Sequence, residues 1–270
     1  MHRRGADPEA PLPTDSPVTA RLPADGSAGR MTDSTLRLLG GFHLSVDGQR
    51  VHLPRAEQRL LACVALAERP TARSRLAGRL WPDTAEPKAM ARLRTALWRL
   101  RRPGRLLLEG SSDEIELEET LAVDVLDLTE LARRFLDAPF ESNDDRLAEL
   151  TDAGELLPEW DDDWVAPHRE RFRQIRLHAL EQLGVRLAEE GRYGRAVEVS
   201  LAVVADDPMR ESAQRVLIKI YLAEGNVHEA VARYRAYREI MREELGLEPS
   251  PQMEALIDGL GAGSAKAIRT

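Results

Sequence analysis

The chain has 270 residues, which favours two domains over one; 43% hydrophobic content supports real cores, while aromatics are scarce at 4%. No run of eighteen apolar residues occurs, so no membrane span is expected, and the N-terminus lacks the apolar stretch of a secretory signal. Cys63 is the only cysteine, which excludes an internal disulfide and a cysteine-based zinc cage and makes a reducing cytoplasm the expected compartment. The net charge of −8 conceals an asymmetry. Residues 50–105 carry 14 Lys and Arg against 4 acids (Glu57, Glu68, Asp83, Glu86), a net of +10. Residues 106–165 carry 20 acids against Arg133, Arg134 and Arg146, a net of −17. Overall acidity therefore does not oppose nucleic-acid binding, which depends on a local basic face.

Residues 1–33 are rich in Pro, Ala, Asp, Gly and Ser without apolar periodicity and are expected to form a disordered tail. Met31, just before the first patterned segment, is a candidate start of translation, which N-terminal sequencing of native protein would test. From Leu36 to Leu53 the apolar residues alternate as in strands, with slippage at Gly40-Gly41 and a turn at Asp47-Gly48, which predicts a hairpin. Pro54 opens a helix in which Leu60, Leu61, Val64, Ala65 and Ala67 form a buried stripe, with Cys63 on or beside it. A short helix with Leu76, Ala77 and Leu80 inward closes at Trp81-Pro82-Asp83. Lys88–Arg102 follows as a basic helix: Ala89, Leu93, Ala96, Leu97 and Leu100 face the core, and Pro103-Gly104 ends it. Leu106–Leu108, a Gly110-Ser111-Ser112 turn and Ile115/Leu117 make a second hairpin. Short helix, turn, basic helix and hairpin are the order of a winged helix-turn-helix, set at residues 34–124.

The remainder reads as helical. Leu128, Leu131, Ala132, Phe135 and Leu136 form one stripe, and a long helix from Pro167 carries Phe172, Ile175, Ala179, Leu180, Leu183 and Leu187. Glu190-Gly191 recurs as Glu224-Gly225 and Ala196 as Ala230, 34 residues apart in both cases, which is the tetratricopeptide period. The small residues are expected to permit close helix crossing within each hairpin. The fold class is thus mainly α: an N-terminal α+β winged helix-turn-helix, then an all-α tetratricopeptide-like domain at 125–260 and a flexible tail at 261–270.

The basic helix carries the chemistry. A helix fits the major groove, and an arginine can donate two bonds to guanine O6 and N7. Arg92, Arg94, Thr95 and Trp98 face away from the leucine stripe and are the candidate base readers. Arg99, Arg101 and Arg102 suit phosphates, which fix register without reading sequence; Arg55, Arg73 and Lys88 complete the candidate set. The competing reading of this run is a solvated face. Trp160-Asp161-Asp162-Asp163-Trp164 is read as the start of a helix with two anchoring tryptophans, because consecutive acids lack the spacing of a calcium loop. The six histidines lack metal-ligand spacing, GxxxxGK[ST] is absent, and no catalytic constellation is visible. No enzyme activity, cofactor or metal is expected.

The segments LRLLGGFHLSVDGQRVHLP, RLAGRLWPD, TALWRLRR, LLPEWDDDWV, RERFRQIRLHALEQL, DDPMRESA and AVARYRAYREIMREELGLEPSPQM occur in the order found in Streptomyces antibiotic regulatory proteins and related bacterial activators. The chain resembles that family over roughly residues 36–260. The resemblance implies an OmpR-type winged helix joined to a bacterial transcriptional activation domain of tetratricopeptide-like helices. It further implies an activator that binds promoter direct repeats, as a homodimer on DNA, and recruits RNA polymerase. Two features depart from the family pattern: Ala72 stands where a small polar residue usually caps the positioning helix, and the second hairpin is acidic (Glu109, Asp113, Glu114, Glu116). They keep open an alternative, a helical-repeat interaction regulator with weak or lost DNA binding.

Overall fold

The computed structural model describes residues 34–67, 69–101, 107–137 and 146–258. The two expected tails, Met31 and Arg102 lie outside the described residues. A four-stranded sheet opens the fold, in the order β3-β2-β1-β7. Strands β1 (Ser34–Arg37), β2 (His43–Val46) and β3 (Gln49–Val51) are antiparallel neighbours, with Leu36 opposite Leu44 and Leu44 opposite Val51. The β2–β3 turn is tight because Asp47 and Gly48 both take positive φ, 51° and 72°, the geometry whose twist matches a two-residue hairpin. β7 (Leu121–Val123) pairs parallel to β1 from far along the chain.

Three helices that pack on one another follow: α1 (Arg55–Ala65), α2 (Arg73–Leu80) and α3 (Glu86–Leu100). Pro54 occupies the position before α1 rather than its first turn, and Leu60, Leu61, Cys63 and Val64 are buried as the stripe predicts. The second hairpin forms from β5 (Leu108–Glu109) and β6 (Glu114–Leu117). A two-residue strand, β4 (Thr71–Ala72), extends it on the far side, in the order β4-β6-β5. β4 was not legible in the sequence, and it settles how α2 is capped. Ala72 has no side-chain oxygen to offer, and the Arg73 amide donates to the Asp113 carbonyl of the wing instead, at 2.9 Å.

The helical half comprises α4 (Asp124–Asp137), α5 (Arg146–Asp152), α6 (Ala166–Glu189), α7 (Tyr193–Asp206), α8 (Glu211–Glu224), α9 (Val227–Leu245) and α10 (residues 251–258). In α4, Leu128, Leu131, Ala132 and Phe135 are buried, whereas Leu136 stands on the rim. α6–α7 and α8–α9 are the two hairpins of the 34-residue repeat. The glycines of the repeat act differently from the expectation. Gly191 and Gly225 have φ of 73° and 91° and open space around their Cα. Amides beyond them donate back to Leu187 and Tyr221, so each glycine terminates a helix in the left-handed conformation. Ala196 and Ala230 are fully buried. The close approach of α6 to α7 belongs to Gly184, where a Cβ would lie 2.6 Å from Ser200 Oγ.

No linker separates the halves: β7 ends at Val123 and α4 begins at Asp124. The Asp124 carboxylate accepts from the Leu38, Leu39 and Val125 amides at 2.9, 3.1 and 2.7 Å, joining the end of β1 to the start of α4. Burial raises the pKa of Asp124 from its ordinary value even though those three amides act to lower it. Beyond α5, Gly40 donates to Glu155 and Leu157 to Leu38, and Trp160 stacks on Phe42 at 6.0 Å. Asp162 accepts from Arg59 and from the Trp164 indole, and the Arg55 guanidinium lies 3.8 Å from the centre of the Trp160 ring. The two tryptophans anchor this segment as expected, against the winged-helix half. One buried cluster consequently runs from Leu36 to Ile220.

Candidate nucleic-acid interface

α3 is fixed in rotation by its apolar side. Pro87 in the first turn suits a position whose N–H would lack a partner within the helix. Ala89, Leu93, Ala96, Leu97 and Leu100 are buried, in contact with α1 and α2. Each leucine burial stabilises by about 1.5–3 kcal/mol, enough to hold one face inward against free rotation. Lys88, Arg92, Arg94, Thr95, Trp98 and Arg99 are turned out, and Arg101 at the C-cap is exposed with them. Trp98 is 77% exposed, an unusual position for so large an apolar ring unless a flat partner covers it.

Several of these side chains are already aimed. Arg92 Nη1 donates to Thr84 Oγ1 at 3.1 Å, and Thr95 Oγ1 donates to the Ala91 carbonyl at 3.1 Å. Arg99 Nη1 donates to Glu57 Oε1 at 3.1 Å. Between α1 and α3 runs an open groove of about 440 Å³, with Glu57, Trp81, Lys88, Arg92, Thr95 and Arg99 among its lining residues. A wider depression of about 730 Å³ shares Trp81 and Arg92 with it and is lined also by Arg79, Asp161, Asp162 and Asp163. The acidic segment thus lines the same depression as Arg79 and Arg92 of the basic segment.

Two candidates lie elsewhere. Arg55 is engaged by Trp160 and Asp162 at the junction of the two halves. Arg73 reaches the wing tip, where its Nη2 donates to the Ser111 carbonyl at 2.9 Å. Glu57 was absent from the candidate set. Its signal was available: it falls at helical spacing with Leu60, Leu61 and Val64, so an acid stands on an apolar stripe within a strongly basic segment. Arg75 and Arg79 are further exposed arginines, on α2. Cys63 is buried in α1, and burial raises its thiol pKa despite the lowering effect of the nearby Arg79 guanidinium. Among the described residues, no group of three or more His, Cys, Asp or Glu is placed to hold a metal, and no helix is long and apolar enough to cross a membrane.

Residues 127–260 match the family model of the bacterial transcriptional activator domain. The chain is 29% identical over 231 residues to the regulatory protein AfsR of Streptomyces coelicolor, covering 81% of this chain and 23% of that protein. To AfsR of Streptomyces griseus it is 28% identical over 257 residues, covering 88% and 25%. It therefore spans about a quarter of the length of these curated relatives. The fold is similar to that of Mycobacterium tuberculosis EmbR, solved in complex with a low-affinity phosphopeptide. The TM-score is 0.63 at 20% identity, over 84% of this chain and 64% of that one. Residues 127–260 thus carry a bacterial transcriptional activator domain, and the chain is similar in sequence to Streptomyces regulatory proteins.

Proposed function

We propose that the chain is a sequence-specific activator that works in the cytoplasm. In this reading residues 34–124 dock α3 in the major groove of promoter direct repeats, two copies sit side by side on the DNA, and residues 125–260 recruit RNA polymerase. The observation that carries the DNA-binding part is the outward face of α3: Arg92, Arg94, Thr95 and Trp98 at its centre, with Lys88, Arg99 and Arg101 around them. Arginine offers guanine a pair of donors, and the exposed indole offers apolar contact to a thymine methyl. The repeats, the second copy and the polymerase rest on the resemblance to Streptomyces antibiotic regulatory proteins and on the activator domain at residues 127–260. The family is one of regulators, and no turnover is proposed.

The acidic wing supports a second reading. Glu109, Asp113, Glu114 and Glu116 are all exposed, so the hairpin contributes repulsion at a phosphate backbone and the helical repeats carry the function by binding a protein. One experiment separates the two readings. Duplexes enriched from a random-sequence library by the full chain are titrated with wild-type protein and with Arg94→Ala. The activator reading expects a ten- to hundred-fold loss of affinity, equivalent to about 1–3 kcal/mol for one bidentate contact. Failure to enrich any sequence, or unchanged affinity for Arg94→Ala and Arg101→Ala alike, would overturn it in favour of the second reading.

A further inference from the structure

Glu57 occupies an unusual place for an acid. It stands in the first turn of α1, is 1% exposed, and forms part of the floor of the groove whose rim is Lys88, Arg92, Thr95 and Arg99. Its Oε1 accepts a single bond from Arg99 Nη1, while Oε2 is buried with no hydrogen-bond partner among the described residues. A buried carboxylate oxygen left unbonded is costly, and an apolar residue would continue the stripe of α1 without that cost. The Arg99 side chain is 52% exposed, so the pairing engages one terminal nitrogen of an otherwise accessible guanidinium. Of the five N–H donors of an arginine, one is engaged among the described residues, which leaves the others for another acceptor.

We propose that Glu57 is a positioning residue that sets the discrimination of the DNA-binding face, acting through Arg99. The inference rests on the reading of α3 given above. The carboxylate does two things at once. It fixes the direction of the guanidinium, so that Arg99 reaches a phosphate only when the duplex is seated in one register. It also offsets part of the charge that Arg99 presents, which lowers attraction to any DNA regardless of sequence. Removing it frees a cation on a flexible stem, which favours non-specific duplexes more than the selected one.

The test is binding of the full chain to a library-enriched duplex and to its scrambled counterpart across a salt series. Glu57→Gln, nearly the same shape, is expected to tighten binding to the scrambled duplex about three- to ten-fold and to reduce the preference for the enriched one. Its salt dependence should steepen by up to about one counterion. With Arg99→Ala already present, Glu57→Gln should change neither quantity. Arg99→Lys alters only an exposed side chain and keeps the charge. It should lose preference with an unchanged salt slope, which provides a second route should Glu57→Gln fold poorly. Equal weakening on both duplexes by a folded Glu57→Gln, or an effect that persists without Arg99, would overturn the proposal. If Arg99→Ala leaves binding intact while Arg94→Ala weakens it, the role of Glu57 falls and the α3 reading stands. If neither substitution matters, both fall.

Discussion

Glu211 shows how one side chain can hold three elements. It begins α8, accepts from Arg215 at 2.9 Å one turn on, and receives both the backbone amide (3.0 Å) and the hydroxyl of Ser250, the residue just before α10. The buried Tyr237 hydroxyl of α9 completes the set at 3.4 Å. Burial acts to raise the Glu211 pKa, but the Ser250 bonds, Arg215 and Tyr237 outweigh it and hold the carboxyl below its ordinary value. The same arrangement, with burial as the largest cause, pushes the Tyr237 phenol up to about 12. A carboxylate with a depressed folded pKa stabilises fully above its unfolded value of about 4.3, and that stability is lost as pH falls through the folded value. Glu211→Gln is therefore expected to cost about 1–2 kcal/mol at neutral pH, the scale of a hydrogen bond to a charged group. Denaturant melts should show its gap from wild type closing as pH drops below about 4. A gap that stays constant with pH would mean that the charge is irrelevant. The sequence betrays nothing of this, because Ser250 lies 39 residues from Glu211 and Tyr237 lies 26 away.

Elements whose contacts are local were legible, and those made by distant chain were not. The α1 and α3 stripes follow from helical spacing, and the Asp47-Gly48 hairpin follows from turn chemistry. β4 and β7 are two and three residues long, too short for a period to appear, and exist through pairing with β6 and β1. The outward face of α3 could be drawn from sequence, whereas the engagement of Arg55 by Trp160 and of Arg73 by Ser111 could not, since both depend on which surfaces meet. The wing shows how tightly such a paired element is specified. Gly110 has φ of 154°, and a Cβ there would lie 2.3 Å from the Glu114 backbone carbonyl. Gly110→Ala should cost about 2–3 kcal/mol through strain and steric displacement. Because Asp113 of the same hairpin accepts the Arg73 amide, the expected signature is faster hydrogen exchange at Arg73 together with a lowered Tm. Retained protection there would show that α2 does not depend on the wing for its cap.

For the molecule as a whole, the shared core replaces a hinge. Arg59 and Arg55 reach Asp162 from the winged-helix half, Asp124 receives the end of β1, and Trp160 stacks on Phe42. Asp162→Ala removes the acceptor common to both arginines and the Trp164 indole. With Arg55 half exposed, a cost of about 2 kcal/mol is expected, below the 3–5 kcal/mol typical of a fully buried pair. In a chain of this size that lowers Tm by roughly 4–8 °C, in a single transition observed by calorimetry. Two separated transitions in wild-type protein would contradict a continuous core. The absence of slack between Val123 and Asp124 has a consequence in DNA geometry. A helical domain joined rigidly to a seated recognition helix points wherever the double helix turns it, by roughly 34° for each base pair. On the proposed reading, a binding site shifted by about five base pairs aims α4–α10 at the opposite side of the promoter, and a shift of about ten restores the aim. Promoters served by this chain should therefore share a rotational phase, and spacing between site and start point should vary in whole helical turns.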